Sequence, residues 1–311
     1  MHLADKSPIS WKADYRSEIL NSLEQIGEIA RKVSATAILD GGDFFHVKSA
    51  ARTSHALITQ VATLHSNYPC PVYAIEGNHD IVYSDLDSVE RQPIGVLFST
   101  KVFRQLRDKT FTNGDVIVRV VGLPYDTSSN LAERFREIKR GKETYLVVVA
   151  HALASYEPSS GIDELFGEPV ASYDDLIYPG GPDVACFGHW HKDQGVVKIQ
   201  NCTFVNQGSI SRGSLTQENV DRMPQVAVIR LGKRIEVRLV SLHVADPDIV
   251  FDFAKREKKE MERDAIEQFV NRLKITASDD ASVSVEDCIA SLDFARDVRD
   301  AAVEYLERAR A

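Results

Sequence analysis

Between residues 10 and 33 apolar side chains recur mostly at three- and four-residue steps, at Ile19, Leu20, Leu23, Ile26, Ile29, Ala30 and Val33. This spacing predicts an amphipathic helix. A buried strand is expected over 36–40 and a second helix from 50 to about 65. The chain then passes through Asn67 and Pro71 into an apolar run at 72–75, which ends in Glu76-Gly77-Asn78-His79-Asp80. Short apolar runs at 116–121, 145–150, 184–187, 195–199, 203–205, 226–231 and 235–240 predict further strands. The early strands alternate with helices and the late ones lie close together. The pattern therefore predicts an α/β fold of mixed sheets, with hairpins towards residue 240 and helices packed outside. Between His151 and Asp183 runs a polar stretch with Pro158, Gly161, Gly167 and Pro169. A loop of that length in a compact domain is expected to be functional.

After about Ala245 the composition turns to charged helix formers, with Met261, Ala265, Phe269 and Leu273 on one face. A polar break covers 278–284, and Leu292, Ala295, Val298, Ala302, Tyr305 and Leu306 form a second apolar stripe. We expect a main domain over 1–245 and a helical segment over 246–311. That segment is either a packing appendage or a docking surface for a partner helix or coiled coil.

Composition narrows the class. The chain has 311 residues, 43% hydrophobic and 27% charged, with a net charge of −9, which excludes collagen-like and disordered chains. No apolar run approaches the roughly 18 residues of a membrane helix, and residues 1–15, with Asp5, Lys6, Lys12 and Asp14, lack a signal-peptide apolar region. A cytoplasmic protein with no membrane partner is expected. Cys70, Cys186, Cys202 and Cys288 lie far apart without a Cys-x-x-Cys pair, which predicts buried free thiols rather than a zinc knuckle or disulfides. The acidic total disfavours a general nucleic-acid coat, although divalent cations offset it locally.

The chemistry lies with the histidines. Of nine, His55, His65 and His243 stand alone and are expected to be structural or exposed. The other six cluster in short motifs, mostly at strand ends: His2; His46 in Gly42-Asp43-Phe44-Phe45-His46; His79 in Gly77-Asn78-His79-Asp80; His151; and Gly188-His189-Trp190-His191. Loops at the carboxyl ends of neighbouring strands converge on one crevice, where ligands from distant parts of the chain meet. Imidazoles with carboxylate and carboxamide oxygens suit Mn²⁺, Fe²⁺ or Zn²⁺. Asp43 is able to bridge two ions, as two-metal phosphoryl chemistry requires. His189 and His191, two apart on an extended segment, face the same way. Asn78 and His79 diverge, so that one binds metal while the other addresses substrate.

In order and content these motifs resemble the signature of the calcineurin-like metallophosphoesterases: Asp-x-His, Gly-Asp, Gly-Asn-His-Asp, a strand-end His and Gly-His-x-His. Four of the five are intact between residue 2 and about residue 215. Within that superfamily the chain is most similar to SbcD-type DNA-repair nucleases and their bacterial and phage relatives. That likeness rests on His46 with Lys48, on Arg52-Thr53-Ser54-His55, and on Asn206-Gln207-Gly208-Ser209-Ile210-Ser211-Arg212-Gly213. The resemblance implies a four-layer sandwich of two mixed β-sheets flanked by helices, and two divalent ions, chiefly Mn²⁺. One ion would be held by His2, Asp43 and His191, the other by Asp43, Asn78, His151 and His189. It makes His79 the acid that protonates the leaving oxygen and His46 a second active-site imidazole. Ser209 and Arg212 become phosphate contacts, with a surface salt bridge as the other reading of Arg212.

The Asp of the first motif and the first core strand would stand ahead of Met1. Either the true start lies upstream or a ligand has been lost, and Asp5, on the wrong side of His2, does not replace it. The function implied is a metal-dependent phosphodiesterase acting on DNA in repair, beside an SbcC-type coiled-coil ATPase, with a homodimer also compatible. A small-molecule or nucleotide phosphodiesterase or phosphatase, and a non-catalytic scaffold subunit, are the competing readings.

Overall fold

Asp14 ends the irregular N-terminal run by accepting the backbone N–H groups of Arg16 and Ser17, so the first helix, α1, is Tyr15–Lys32. The expected start at residue 10 was too early, because Trp11 N–H turns back to the Pro8 carbonyl and Lys12 N–H to that of Val250. In this computed structural model residues 2–46, 53–158, 167–255 and 257 are described. Contacts divide the chain into a unit Met1–Val250 and a unit Phe251–Ala311. The two predicted C-terminal stripes, Cys288, Lys48 and Arg52 lie outside the described residues. In the second unit, Asp252 accepts the N–H of Lys255.

Within the first unit, α1 is followed by β1 (Ile38–Asp40), α2 (His55–Ser66), β2 (Val72–Ala74), α3 (Pro93–Ser99), β3 (Phe103–Gln105), β4 (Asp108–Asn113) and β5 (Val116–Leu123). Then come α4 (Leu131–Glu137), β6 (Tyr145–Ala152), β7 (Ala154–Ser155), β8 (Ala171–Ser172), β9 (Val184–His189), β10 (Gly195–Ile199) and β11 (Cys202–Asn206). The unit ends with α5 (Gln217–Asp221), β12 (Gln225–Leu231), β13 (Ile235–Ser241) and α6 (Pro247–Val250). β1, β2 and β3 form a parallel sheet in that order, and a six-stranded sheet runs β10-β11-β9-β6-β5-β4. The larger sheet is mixed: β5, β6, β9 and β11 are parallel, while β4 and β10 pair antiparallel at its two edges. The smaller one is parallel over its described strands, and the sheets flanked by helices fit the expected mixed α/β sandwich. β12 and β13 form the expected hairpin.

Alternation along β6 and its neighbours builds two cores. Val147 and Val149 join Val120, Val184 and Val205 against Tyr73, Ile75 and Leu106, filling the space between the two sheets. Leu146, Val148 and Ala150 face the other way, onto Phe135 of α4 and onto Tyr173 and Leu176. A parallel strand buried on both faces reads as a continuous apolar run, which is how 145–150 appears in the sequence. Of the described cysteines, Cys202 is buried while Cys70 and Cys186 are only half-buried, and all three are free thiols.

His65 is structural, as expected. Its Nδ1–H donates to the Val61 carbonyl at 2.8 Å, and its ring packs on Phe44, Tyr68 and Phe103. Burial pushes the imidazole from 6.5 down to about 4. The folded chain thus refuses a proton that the unfolded chain accepts, so stability is complete above pH 6.5 and falls as the pH drops towards 4. The loss is about 3 kcal/mol. Urea titrations of wild type and His65→Leu from pH 7 to 4 are expected to show the steeper loss in wild type; identical pH slopes would refute the assignment.

Candidate metal centre

The ends of the parallel strands bring the motifs together. Beyond β1 the chain turns through Gly42, at φ +94°, where an added Cβ would lie 2.6 Å from the His151 ring, and only glycine takes both the turn and the approach. Asp43 follows at φ 56°, and His2 and His189 also lie in the left-handed region, at 64° and 83°. Three candidate ligands in a conformation that L-residues avoid mark a place where the surroundings hold strain for function. At the end of β9, a Cβ on Gly188 would collide with the carbonyl oxygen of Gly41, so this glycine lets the two ligand-bearing strand ends touch.

Asp80 ties the two central motifs. One carboxylate oxygen accepts the N–H groups of Asp43 at 2.7 Å, Phe44 at 3.3 Å and Gly77 at 3.0 Å. Burial, with the charge of Asp43 added, pushes its carboxyl up to about 7. Glu76, fully buried, fixes the same loop through Arg107 and Gln105. His2 is stitched beside them: its N–H donates to the Asp43 carbonyl, and Leu3 bridges Phe45. Asp5 accepts from Ser54 and pairs with Arg16, and so serves the start of α2.

Asp43 is the hub. One of its oxygens lies 3.5 Å from His2 Nε2 and 3.4 Å from His151 Nε2, and the other accepts the His79 N–H at 2.7 Å. The Asn78 carboxamide lies 3.0 and 3.2 Å from the two oxygens. His2 Nε2 is 2.7 Å from His191 Nε2, and His151 Nε2 is 3.1 Å from His189 Nδ1. Ligand atoms of His2, Asp43 and His191 lie within 4.8 Å of one another, as do those of Asp43, His151 and His189, and those of His2, His46 and His79.

The donor chemistry suits divalent cations. Burial holds His2 far below the ordinary imidazole value and pushes His191 down to about 3, so both are neutral with lone pairs to give. Burial opposes charge on Asp43 and on His151, but their mutual attraction and hydrogen bond prevail, holding Asp43 well below the carboxylate range and lifting His151. His151 donates Nδ1–H to the Gly41 carbonyl at 2.6 Å. A divalent ion competes with the proton on its Nε2. Among the described residues no thiolate takes part, so hard or borderline ions fit.

His46 and His79 flank this group. Their rings stack at 5.4 Å and 18°, and His79 Nδ1–H donates to the His46 carbonyl at 2.8 Å. His79 also stands edge-on to His2, with ring centres 4.4 Å apart. Ser209 meets the group through the backbone, its N–H donating to the His191 carbonyl at 2.9 Å. Arg212 does not join them. It is 4% exposed, and its Nη1 donates to the carbonyls of Asn219, Val220 and Arg222. Its Nη1 is thus turned to the end of α5, buried rather than at the surface. Sequence reasoning missed Glu168, 2.6 Å from His189 Nε2, although it had marked the polar stretch that carries it.

The model of the family described as calcineurin-like phosphoesterase matches residues 2–193. Among solved structures the chain is similar to the sulfate thiohydrolase SoxB of Thermus thermophilus in complex with glycerol, at 13% identity and TM-score 0.44, over 73% of this chain and 44% of that one. It thus spans less than half the length of that protein. It is also similar to a novel archaeal phosphodiesterase, at 13% identity and TM-score 0.36 over 73% and 94%. A conserved Streptococcus pneumoniae protein predicted to be a phosphoesterase is similar at 12% identity and TM-score 0.27 over 69% and 92%. No curated protein matches the chain. Among the described residues no helix is long and apolar enough to cross a membrane.

Proposed function

This chain belongs to the calcineurin-like phosphoesterase family, and from that premise we propose that it is a DNA phosphodiesterase of SbcD type that works with two divalent ions, Mn²⁺ foremost. The observation that carries the reading is the pair His46 and His79, stacked beside the ligand group and outside its two Asp43-centred parts. His2, Asp43 and His191 would hold one ion, and Asp43, Asn78, His151 and His189 the other. Such ions would neutralise phosphoryl charge and lower the pKa of the attacking water.

The rest is the work of the chain's own groups. His79, its Nδ1–H anchored on the His46 carbonyl, delivers a proton from Nε2 to the leaving oxygen. Asp80 and Glu76 keep the loop that carries it in place. In this reading residues 246–311 dock an SbcC-type coiled-coil ATPase, and the protein acts in the cytoplasm.

The net charge of −9 favours a second reading, a nucleotide or other small phosphodiester as substrate. Hydrolysis of a single-stranded oligonucleotide and of bis(p-nitrophenyl) phosphate, with Mn²⁺ and salt raised from about 50 to 200 mM, separates the two. For a nuclease, KM for the oligonucleotide rises steeply while that for the small diester stays flat. An uncut oligonucleotide beside a readily cleaved small diester would overturn the DNA reading.

A further inference from the structure

We propose that Glu168 is a positioning residue that fixes His189 with the lone pair of Nδ1 turned into the ligand group; this rests on the metal-centre reading above. A neutral imidazole carries one proton, and the nitrogen that holds it cannot bind a cation. His189 reaches the group through Nδ1, 3.1 Å from His151 Nε2. Its other nitrogen, Nε2, lies 2.6 Å from Glu168 Oε1. A carboxylate only accepts, so the proton is held on Nε2 and Nδ1 is left bare.

Glu168 is itself held. The Tyr125 hydroxyl donates to its second oxygen at 3.3 Å. Tyr125 in turn is anchored by its N–H on the Glu76 carbonyl at 2.8 Å, just beyond β5, and its ring lies 5.5 Å from that of His189. The chain thus links the loop after β2, the loop after β5 and the end of β9 to a single imidazole.

His151 gives the internal comparison. It meets Asp43 and His189 through Nε2 and donates Nδ1–H to the Gly41 carbonyl. Each imidazole therefore has its far nitrogen pinned by an acceptor, a backbone carbonyl for His151 and a carboxylate for His189. A backbone carbonyl cannot be exchanged by a side-chain substitution, so Glu168 is the point at which ligand orientation is open to mutation. Partners of this kind are worth about 10- to 100-fold in metal affinity. No regular spacing marks such a residue, because Glu168 stands 21 positions before His189.

The test uses the whole chain in two states. Long-range ¹⁵N–¹H NMR on the ion-free, histidine-labelled protein reads the tautomer, with His189→Ala assigning the resonance. Calorimetric Mn²⁺ titration reads affinity. We expect the Nε2–H tautomer in wild type and a mixed tautomer in Glu168→Ala, with affinity for the ion beside His189 about 10- to 100-fold weaker. Glu168→Gln keeps an acceptor oxygen and regains part of both effects, and the melting temperatures of the ion-free variants stay close to wild type. A wild-type tautomer and affinity in Glu168→Ala would overturn the proposal. A wild type that binds no Mn²⁺ would instead overturn the metal-centre reading, and the tautomer shift would still judge Glu168.

Discussion

Replacing His79 by alanine is expected to lower turnover by about two to four orders of magnitude, the usual worth of a positioned acid, while Mn²⁺ binding stays intact. The His79 ring is tied to the His46 carbonyl and stacks on His46, so its loss removes a proton donor rather than part of the hub. The backbone N–H of residue 79, which donates to Asp43 at 2.7 Å, survives the substitution. Leaving groups sharpen the test, because a deoxyribose oxygen needs the proton and a nitrophenolate scarcely does. The loss is therefore expected to be larger on DNA than on bis(p-nitrophenyl) phosphate. Loss of metal together with activity would make His79 a ligand and sink the assignment.

Asp43→Asn is expected to be more severe, with hydrolysis falling at least roughly a thousandfold on every phosphodiester. One Asp43 oxygen faces both His2 and His151, so the substitution strips the shared anionic donor from both halves of the centre at once. Asn tolerates the φ of 56° and still accepts the His79 N–H. The ion-free variant is therefore expected to fold, and circular dichroism melts alongside kcat measurements separate lost chemistry from lost structure. Activity within tenfold of wild type would remove Asp43 from the centre.

The ligand motifs were legible in the sequence because strand ends carry their own punctuation: an apolar run, a glycine, then Asp, Asn or His. Val72 to Ile75 running into Gly77-Asn78-His79-Asp80 is the clearest case. β4 escaped notice because it is an edge strand whose residues are mostly exposed, so Asp108–Asn113 shows no apolar alternation. β3 has only three residues, too few for any period. The place of Arg212 was illegible because an arginine after a ligand motif looks the same in sequence whether its guanidinium meets substrate or carbonyls of its own chain. Glu168 was illegible for the converse reason, since its partner stands at the end of β9, 21 positions further along the chain, and only the fold brings the two together.

Titration of the ion-free chain with Mn²⁺ in a calorimeter tests the central claim most directly. In the proposed centre His2, Asp43 and His191 would give three protein donors, whereas Asp43, His151 and His189 would be joined by the Asn78 carboxamide oxygen, 3.3 Å from His151 Nε2, to give four. The account predicts two binding events of unequal affinity, the tighter one weakened by His151→Ala and the weaker one by His191→Ala. A chain that takes up no Mn²⁺, or takes it up unaffected by either substitution, would contradict it.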